Sequence, residues 1–262
     1  MVKRVLSALI GGPILLFLTW LGGWYLTLLI VALALLALRE FLNLAQKANG
    51  AIQQKTIVLF SLLWLLFFSL KKSEWLLPLG IIFLLFILGH YAVRYPTIPF
   101  TAVWYSFLAV LYPVALFTSL YYLRELPDGE MWCFYVFLLV WLTDIGAFFI
   151  GSAFGKRKLA PNVSPNKSIE GALGGSLTAF CFGLVFWLIT RVGNLPAILL
   201  LSLLTSAVSQ IGDLFESTLK RTAGVKDSGA LIPGHGGILD RFDSALFAIP
   251  FVYVFLILGL AG

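Results

Sequence analysis

An all-α protein that crosses the membrane many times is the fold class this sequence predicts, and three observations predict it. Apolar residues make up 60% of the 262 and charged residues only 11%, against roughly 25% charged in a soluble domain, and mean hydropathy is +0.99. The apolar residues gather into runs close to the length of about 20 that a helix needs to cross the hydrocarbon. The polar residues gather in two segments, 155–170 and 213–243. A chain this poor in charge cannot cover a globule with polar surface, so the bilayer is its solvent. The net charge of +6 then records which loops stay in the cytoplasm, and no nucleic-acid partner is expected.

Taken in order, the chain offers about nine candidate spans, at residues 5–20, 24–41, 56–70, 75–93, 100–123, 131–154, 171–192, 195–215 and 242–260. Gly11-Gly12-Pro13 interrupts the first, and the third is short. Gly22-Gly23 leaves room for only a tight turn, which makes the first two a helical hairpin. Trp20, Trp24, Trp75 and Trp104 fall near span ends, where amphipathic rings anchor at the interface. The start, Met1-Val2-Lys3-Arg4 before an apolar run, imitates a signal peptide, but no small-x-small cleavage site follows, so it reads as a retained span. Cys133 and Cys181 lie in apolar runs and suggest buried side chains, not a disulfide framework.

Loop charge predicts the orientation. With the N-terminus in the cytoplasm, the outer loops hold only Lys71, Lys72, Arg124 and Arg191 of the 18 Lys and Arg. That bias puts the N-terminus inside and, with an odd number of spans, the C-terminus outside. It also puts both polar segments on the cytoplasmic side. No internal repeat or separate soluble stretch divides residues 1–262, so a single integral-membrane domain is expected.

Within that apolar frame the carboxylates require a reason. Asp144 sits inside the sixth span, where an ionised carboxylate costs at least about 2.5–3.5 kcal/mol; it either lines a polar cavity or pairs with a cation of a neighbouring helix. Asp213 stands at the end of the eighth span. If that helix continues, Asp213, Glu216, Ser217 and Lys220 form one stripe at i, i+3, i+4 and i+7, an arrangement suited to a bound cation beside a phosphate. Asp240 and Asp243 lie three apart at the start of the ninth span; one could be a helix cap, but a pair suits a hard cation such as Mg2+. Between these carboxylates lie Lys220, Arg221, Lys226 and Asp227, then Pro233-Gly234-His235-Gly236-Gly237. The glycines form a turn and would let backbone N–H groups approach a phosphate. His235 either contacts phosphate, transfers a proton or orders the loop. In the other polar segment, Ser164, Lys167 and Ser168 precede the seventh span, whose first amides could bind an anion; the plainer reading makes Ser168 a helix cap.

These residues resemble the signature of the phosphatidate cytidylyltransferase (CDP-diacylglycerol synthase) family. The likeness is carried by Ser217-x-Leu219-Lys220-Arg221, Lys226-Asp227-x-Gly229 and Pro233-x-His235-Gly236-Gly237-x-x-Asp240-Arg241-x-Asp243. Upstream, Asp144-x-Gly146-Ala147 with Gly151, and Ser164-Pro165-x-Lys167-Ser168-x-Glu170-Gly171, are similar to further family motifs. The motif-bearing part is 144–243. The resemblance implies a membrane enzyme of phospholipid biosynthesis that joins CTP to phosphatidic acid, releasing pyrophosphate and requiring Mg2+, with room for a second cation. It implies Asp213, Asp240 and Asp243 at the metal and Ser217 close by. Lys220, Arg221, Lys226 and Arg241 would hold phosphates, and Asp144 with the loop holding Ser164, Lys167 and Ser168 would complete the cavity. Asp227, Gly236 and Gly237 would contact substrate. A cell (inner) membrane location follows, and a homodimer is compatible with an enzyme of this size.

Two other readings fit some of the same residues. A CTP-dependent lipid kinase of the dolichol or phytol kinase type would also use CTP, metal and lipid, although the full signature speaks against it. A transporter would also carry intramembrane carboxylates, but no matching broken spans suggest inverted repeats, and the polar residues collect on one side.

Overall fold

Each predicted apolar run becomes a helix, as it must where lipid offers the backbone no hydrogen bonds. In the computed structural model, which describes residues 2–48, 53–231 and 236–260, the helices are α1 Val2–Leu21, α2 Gly23–Lys47, α3 Gln54–Ser69, α4 Leu76–Arg94, α5 Thr101–Val110, α6 Leu116–Arg124, α7 Gly129–Phe154, α8 Ile169–Thr190, α9 Leu195–Thr222 and α10 Leu239–Ile257. A π-helical turn, Leu111–Ala115, joins α5 to α6 without a break. Pro113 lies in that turn and explains it: proline lacks an N–H and its ring collides with the carbonyl four residues back, and a wider turn relieves both. Among the described residues, six segments are long and apolar enough to cross a membrane, namely Gly23–Lys47, Ser73–Arg94, Thr101–Arg124, Gly129–Phe154, Ile169–Thr190 and Leu195–Thr222, and Leu9–Leu21 and Gln54–Ser69 are shorter apolar helices.

Two local expectations change. The first run is not interrupted at Gly11-Gly12-Pro13; α1 continues through Pro13, a tolerance for proline that membrane helices commonly show. The segment after α7 is not a plain loop. Lys158–Ala160 (β1) and Ser164–Ser168 (β2) pair as a short antiparallel hairpin. Glu170, in the first turn of α8, holds its base by accepting bonds from the N–H groups of Lys156 at 3.0 Å and Arg157 at 3.1 Å. Other expectations stand: Gly22 and Gly23 take φ of 63° and 50°, a left-handed turn open chiefly to glycine. Cys133 and Cys181 are free thiols, but only Cys133 is buried.

The helices gather into two compact units, one comprising Met1–Tyr121 and Leu219–Arg241, the other Tyr122–Thr218 and Phe242–Gly262. In the first, α2 is the core helix. Leu26, Ile30, Leu33, Ala34, Ala37, Leu38, Phe41 and Ala45 are buried along it at helical spacing, and Phe41 meets the Tyr112 ring of the π turn edge-on.

The second unit is built on the pairing of α7 with α8. Lipid gives these helices no hydrophobic drive to associate, so small residues that allow close backbone approach take its place. A Cβ on Gly174 of α8 would lie 2.5 Å from the Cβ of Ile150 on α7. Farther along, Tyr135 of α7 shares a hydrogen bond of 2.7 Å with Ser202 of α9. Gly212 lets α9 meet α10 so closely that a Cβ there would fall 2.6 Å from the Asp243 carbonyl oxygen.

Gly174→Ala is expected to force α7 and α8 apart at a cost of about 1–3 kcal/mol and to lower the apparent melting midpoint in detergent. Gly89→Ala on α4, where an added Cβ meets nothing within 4 Å, is the control. Equal midpoints for the two variants would contradict this packing.

Candidate active site

Polar side chains collect in each unit. In the second, α7, α8, α9 and β2 enclose a cavity of about 470 Å3 lined by Asp144, Asn166, Lys167, Ser168, Gln210 and Asp213, with Phe148 and Leu159 among its apolar walls. Asp144 is therefore in the cavity wall. The hairpin explains how Lys167 arrives: β2 carries its side chain to Asp213 of α9, with which it forms an ion pair. Ser217, one turn on, donates to the other Asp213 oxygen at 3.4 Å. Ser168 caps α8, accepting from the Gly171 N–H at 3.1 Å, while also lining the cavity. Ser164 opens β2 and is not among the lining residues.

The first unit contains a drier cluster. Lys220, near the end of α9, bonds Asp240 in the first turn of α10 at 2.6 Å, and both side chains are nearly buried, at 12% and 6% exposure. The second Asp240 oxygen accepts from the Ser228 N–H at 2.8 Å, the Ser228 hydroxyl at 2.9 Å and the Gly237 N–H at 2.8 Å. Asp240 precedes the apolar run of α10. Burial by itself would raise its pKa, but the bonds from Lys220, Gly237 and Ser228 outweigh that and hold the carboxyl below the usual aspartate value. Gly236 has φ of 82°, and a Cβ there would lie 2.5 Å from this same Asp240 oxygen. Gly236 thus leaves room for the Asp240 carboxylate.

Other residues of the signature lie outward. Lys226, Asp227 and Arg241 are exposed. Arg221 is exposed as well and donates to the Val225 carbonyl at 3.2 Å, closing the turn after α9. His235, with Pro233 and Gly234, lies outside the described residues. Asp243, in α10, bonds the N–H of Ser244 at 2.6 Å and stands at the close α9–α10 approach beside Gly212 and Asp213.

Two site residues escaped the sequence reading. Gln210 lines the cavity three residues before Asp213, so helical periodicity could have pointed to it. Its amide donates to the Ala172 carbonyl at 3.3 Å and to Ser206 at 3.2 Å. Glu40 is the larger omission. It stands at the end of the apolar run of 24–41, where a charge reads as a span boundary. It is in fact buried at 4% exposure, and it accepts from the Ile238 N–H at 2.9 Å, the Leu239 N–H at 2.9 Å and the Ser228 hydroxyl at 3.0 Å.

Among the described residues no three acidic, His or Cys side chains converge as a metal cluster. Mg2+ does not need one. It keeps several waters and binds through one or two carboxylates together with substrate phosphates. A cavity with Asp144, Asp213 and the amides of Asn166 and Gln210 in its wall presents the hard oxygen donors such an ion takes.

Comparison with known proteins gives this arrangement its context. The model of the cytidylyltransferase family matches residues 2–258. The phosphatidate cytidylyltransferase of Bacillus subtilis (strain 168) is 36% identical over 267 residues, covering 98% of both chains. That of Staphylococcus haemolyticus is 38% identical over 261 residues, covering 97% of this chain and 98% of the relative. That of Haemophilus influenzae is 51% identical over 140 residues, covering 52% of this chain and 49% of the relative.

The two ion pairs should differ sharply in what they contribute to stability. Lys220→Met leaves a buried carboxylate without its cation, which costs about 3–5 kcal/mol. Lys167→Met removes a pair whose side chains are 27% and 28% exposed and should cost about 0–1 kcal/mol. Thermal unfolding of the two variants in the same detergent checks this, and similar midpoints would contradict the assignment of one buried and one solvated pair.

Proposed function

The chain belongs to the cytidylyltransferase family, and from that premise we propose that it makes CDP-diacylglycerol from CTP and phosphatidic acid in phospholipid biosynthesis. A phosphate oxygen of the lipid attacks the α-phosphorus of CTP; the bond from that phosphorus to the oxygen bridging to the β-phosphate breaks, and pyrophosphate leaves. The observation that carries this reading is the match over nearly the whole chain to relatives named phosphatidate cytidylyltransferase.

The residues suit that chemistry. The nucleophile is already anionic near neutral pH, so the reaction calls for neutralised charge and in-line placement more than for a strong base. Lys167 and Lys220, each held by a carboxylate, and Arg221, Lys226 and Arg241 supply the positive charge for the triphosphate and the lipid phosphate. Ser164, Ser168, Ser217, Asp227, Gly236 and Gly237 are assigned to substrate contacts, and His235 to phosphate contact or proton transfer. Asp213 and Asp243 would hold Mg2+, with Asp144 close to the substrate and room for a second cation, whereas both oxygens of Asp240 are engaged by Lys220, Ser228 and Gly237. Once bound, the metal supplies neutralisation of charge on the phosphates.

The chain is read as one catalytic domain crossing the membrane about nine times, with the N-terminus in the cytoplasm and the C-terminus outside. The uneven distribution of Lys and Arg supports that orientation. The site then opens to the cytoplasm of the cell (inner) membrane, where CTP is found, and a homodimer is compatible with a protein of this kind.

With purified protein, phosphatidic acid and CTP labelled at the α-phosphate, label is expected in the lipid only when Mg2+ is present, and chelation should abolish it. Label entering lipid from the γ-phosphate alone would instead favour a CTP-dependent lipid kinase. Asp243→Asn should lower turnover at least about 100-fold while the protein still inserts; near-normal turnover would remove Asp243 from the metal. A cysteine at position 227 should react with impermeant reagents from the cytoplasmic face only, and labelling from outside would reverse the orientation.

A further inference from the structure

We propose that Glu40 is a positioning residue for this reaction: from within α2 its carboxylate seats Ser228 and the start of α10 at Ile238 and Leu239 and, through Ser228, the Lys220–Asp240 pair. The inference rests on the cytidylyltransferase reading and extends it to a part of the chain outside the signature.

Three observations point to it. The first is the donor set. The N–H groups of Ile238 and Leu239 open α10, and the first amides of a helix have no partner within it. Glu40 receives both, at 2.9 Å each, and so caps a helix that begins 199 residues later in the chain. The second is the space around the carboxylate. A Cβ on Gly229 would lie 2.6 Å from one Glu40 oxygen, and a Cβ on Gly237 would collide with the other. Two glycines of the signature are therefore explained by the approach of this one side chain.

The third is a continuous path to a proposed phosphate-binding cation. The Ser228 hydroxyl lies 3.0 Å from Glu40 and 2.9 Å from Asp240, and Asp240 bonds Lys220 at 2.6 Å. The hydroxyl has a single proton for two carboxylates, but the Ser228 N–H bonds Asp240 independently at 2.8 Å, so the residue is fixed on both sides. Moving Glu40 would move Ser228, and moving Ser228 would alter the register of Asp240 and Lys220. Phosphoryl-type transfer depends on in-line placement, and small displacements there reduce turnover steeply.

A glutamine at position 40 has nearly the same volume but turns an NH2 group toward one of the two backbone donors. Glu40→Gln should therefore lower kcat about 10- to 100-fold, the worth of a backbone bond to a charged acceptor, with KM for CTP and for phosphatidic acid changed by less than about threefold. Hydrogen–deuterium exchange of the full-length protein in lipid nanodiscs should show the amides of Ile238 and Leu239 opening about tenfold faster or more, with α7 and α8 unchanged. Faster exchange with wild-type kcat would reduce Glu40 to a purely structural group and overturn the proposal, as would unchanged exchange at those amides.

If Glu40→Gln does not fold, Ser228→Ala provides the second test, since it removes the hydroxyl joint but leaves both Glu40–amide bonds in place. A kcat loss of about 3- to 10-fold is expected, and none would overturn the proposal. Where both variants fold, the double variant should lose little more than Glu40→Gln alone, and multiplying losses would overturn the shared path. Absence of CDP-lipid formation by the wild-type protein would count against the cytidylyltransferase reading itself, while the exchange measurement would still decide whether Glu40 caps α10.

Discussion

A carboxylate in an apolar helix has to be met by donors, and in the first unit that constraint organises the residues around the start of α10. Glu40 and Asp240 are both nearly buried, and between them they take two amides at the start of α10, the N–H of Gly237, both donors of Ser228 and the ammonium of Lys220. Leaving either acid partly unmet would cost several kcal/mol. Ser228 and the start of α10 therefore have little freedom to be elsewhere, and a Cβ on Gly229, Gly236 or Gly237 would collide with these oxygens. A network satisfied at every member is also rigid.

The second unit solves a different problem, that of keeping a polar-lined cavity within an apolar bundle. Its helices approach through glycine and small residues, so that α7 and α8 lie backbone to backbone, while the Lys167–Asp213 ion pair stands in the cavity wall. The ion pair is partly exposed, and a solvated pair can exchange partners with an incoming phosphate or cation at modest cost. The nearly dry Lys220–Asp240 pair is far less free to do so.

Much of this was legible in the residues. The apolar runs became helices within a few residues of their predicted ends, because hydropathy and span length leave the backbone only one way to satisfy itself in lipid. The signature positions were legible because so many polar residues at set spacings stand out against an apolar chain, and Asp144 was legible for the same reason. Glu40 was not. One acid at the end of an apolar run looks the same whether it faces water or caps a distant helix, since its partners are backbone amides, which carry no mark in the sequence. The Ser164–Ser168 strand was equally hidden, because its hairpin depends on Glu170 reaching back to amides of residues 156 and 157.

By itself, then, the sequence determined a helical membrane protein, its family and the positions of its signature residues, because those follow from composition and from local spacing. Only the tertiary structure decided which cation each acid meets, that Lys167 belongs with Asp213 and Lys220 with Asp240, and that the glycines before α10 make room for Glu40 and Asp240. Those are contacts between residues far apart in the chain. Their geometry is set by how closely helices pack, and no one-dimensional pattern records it.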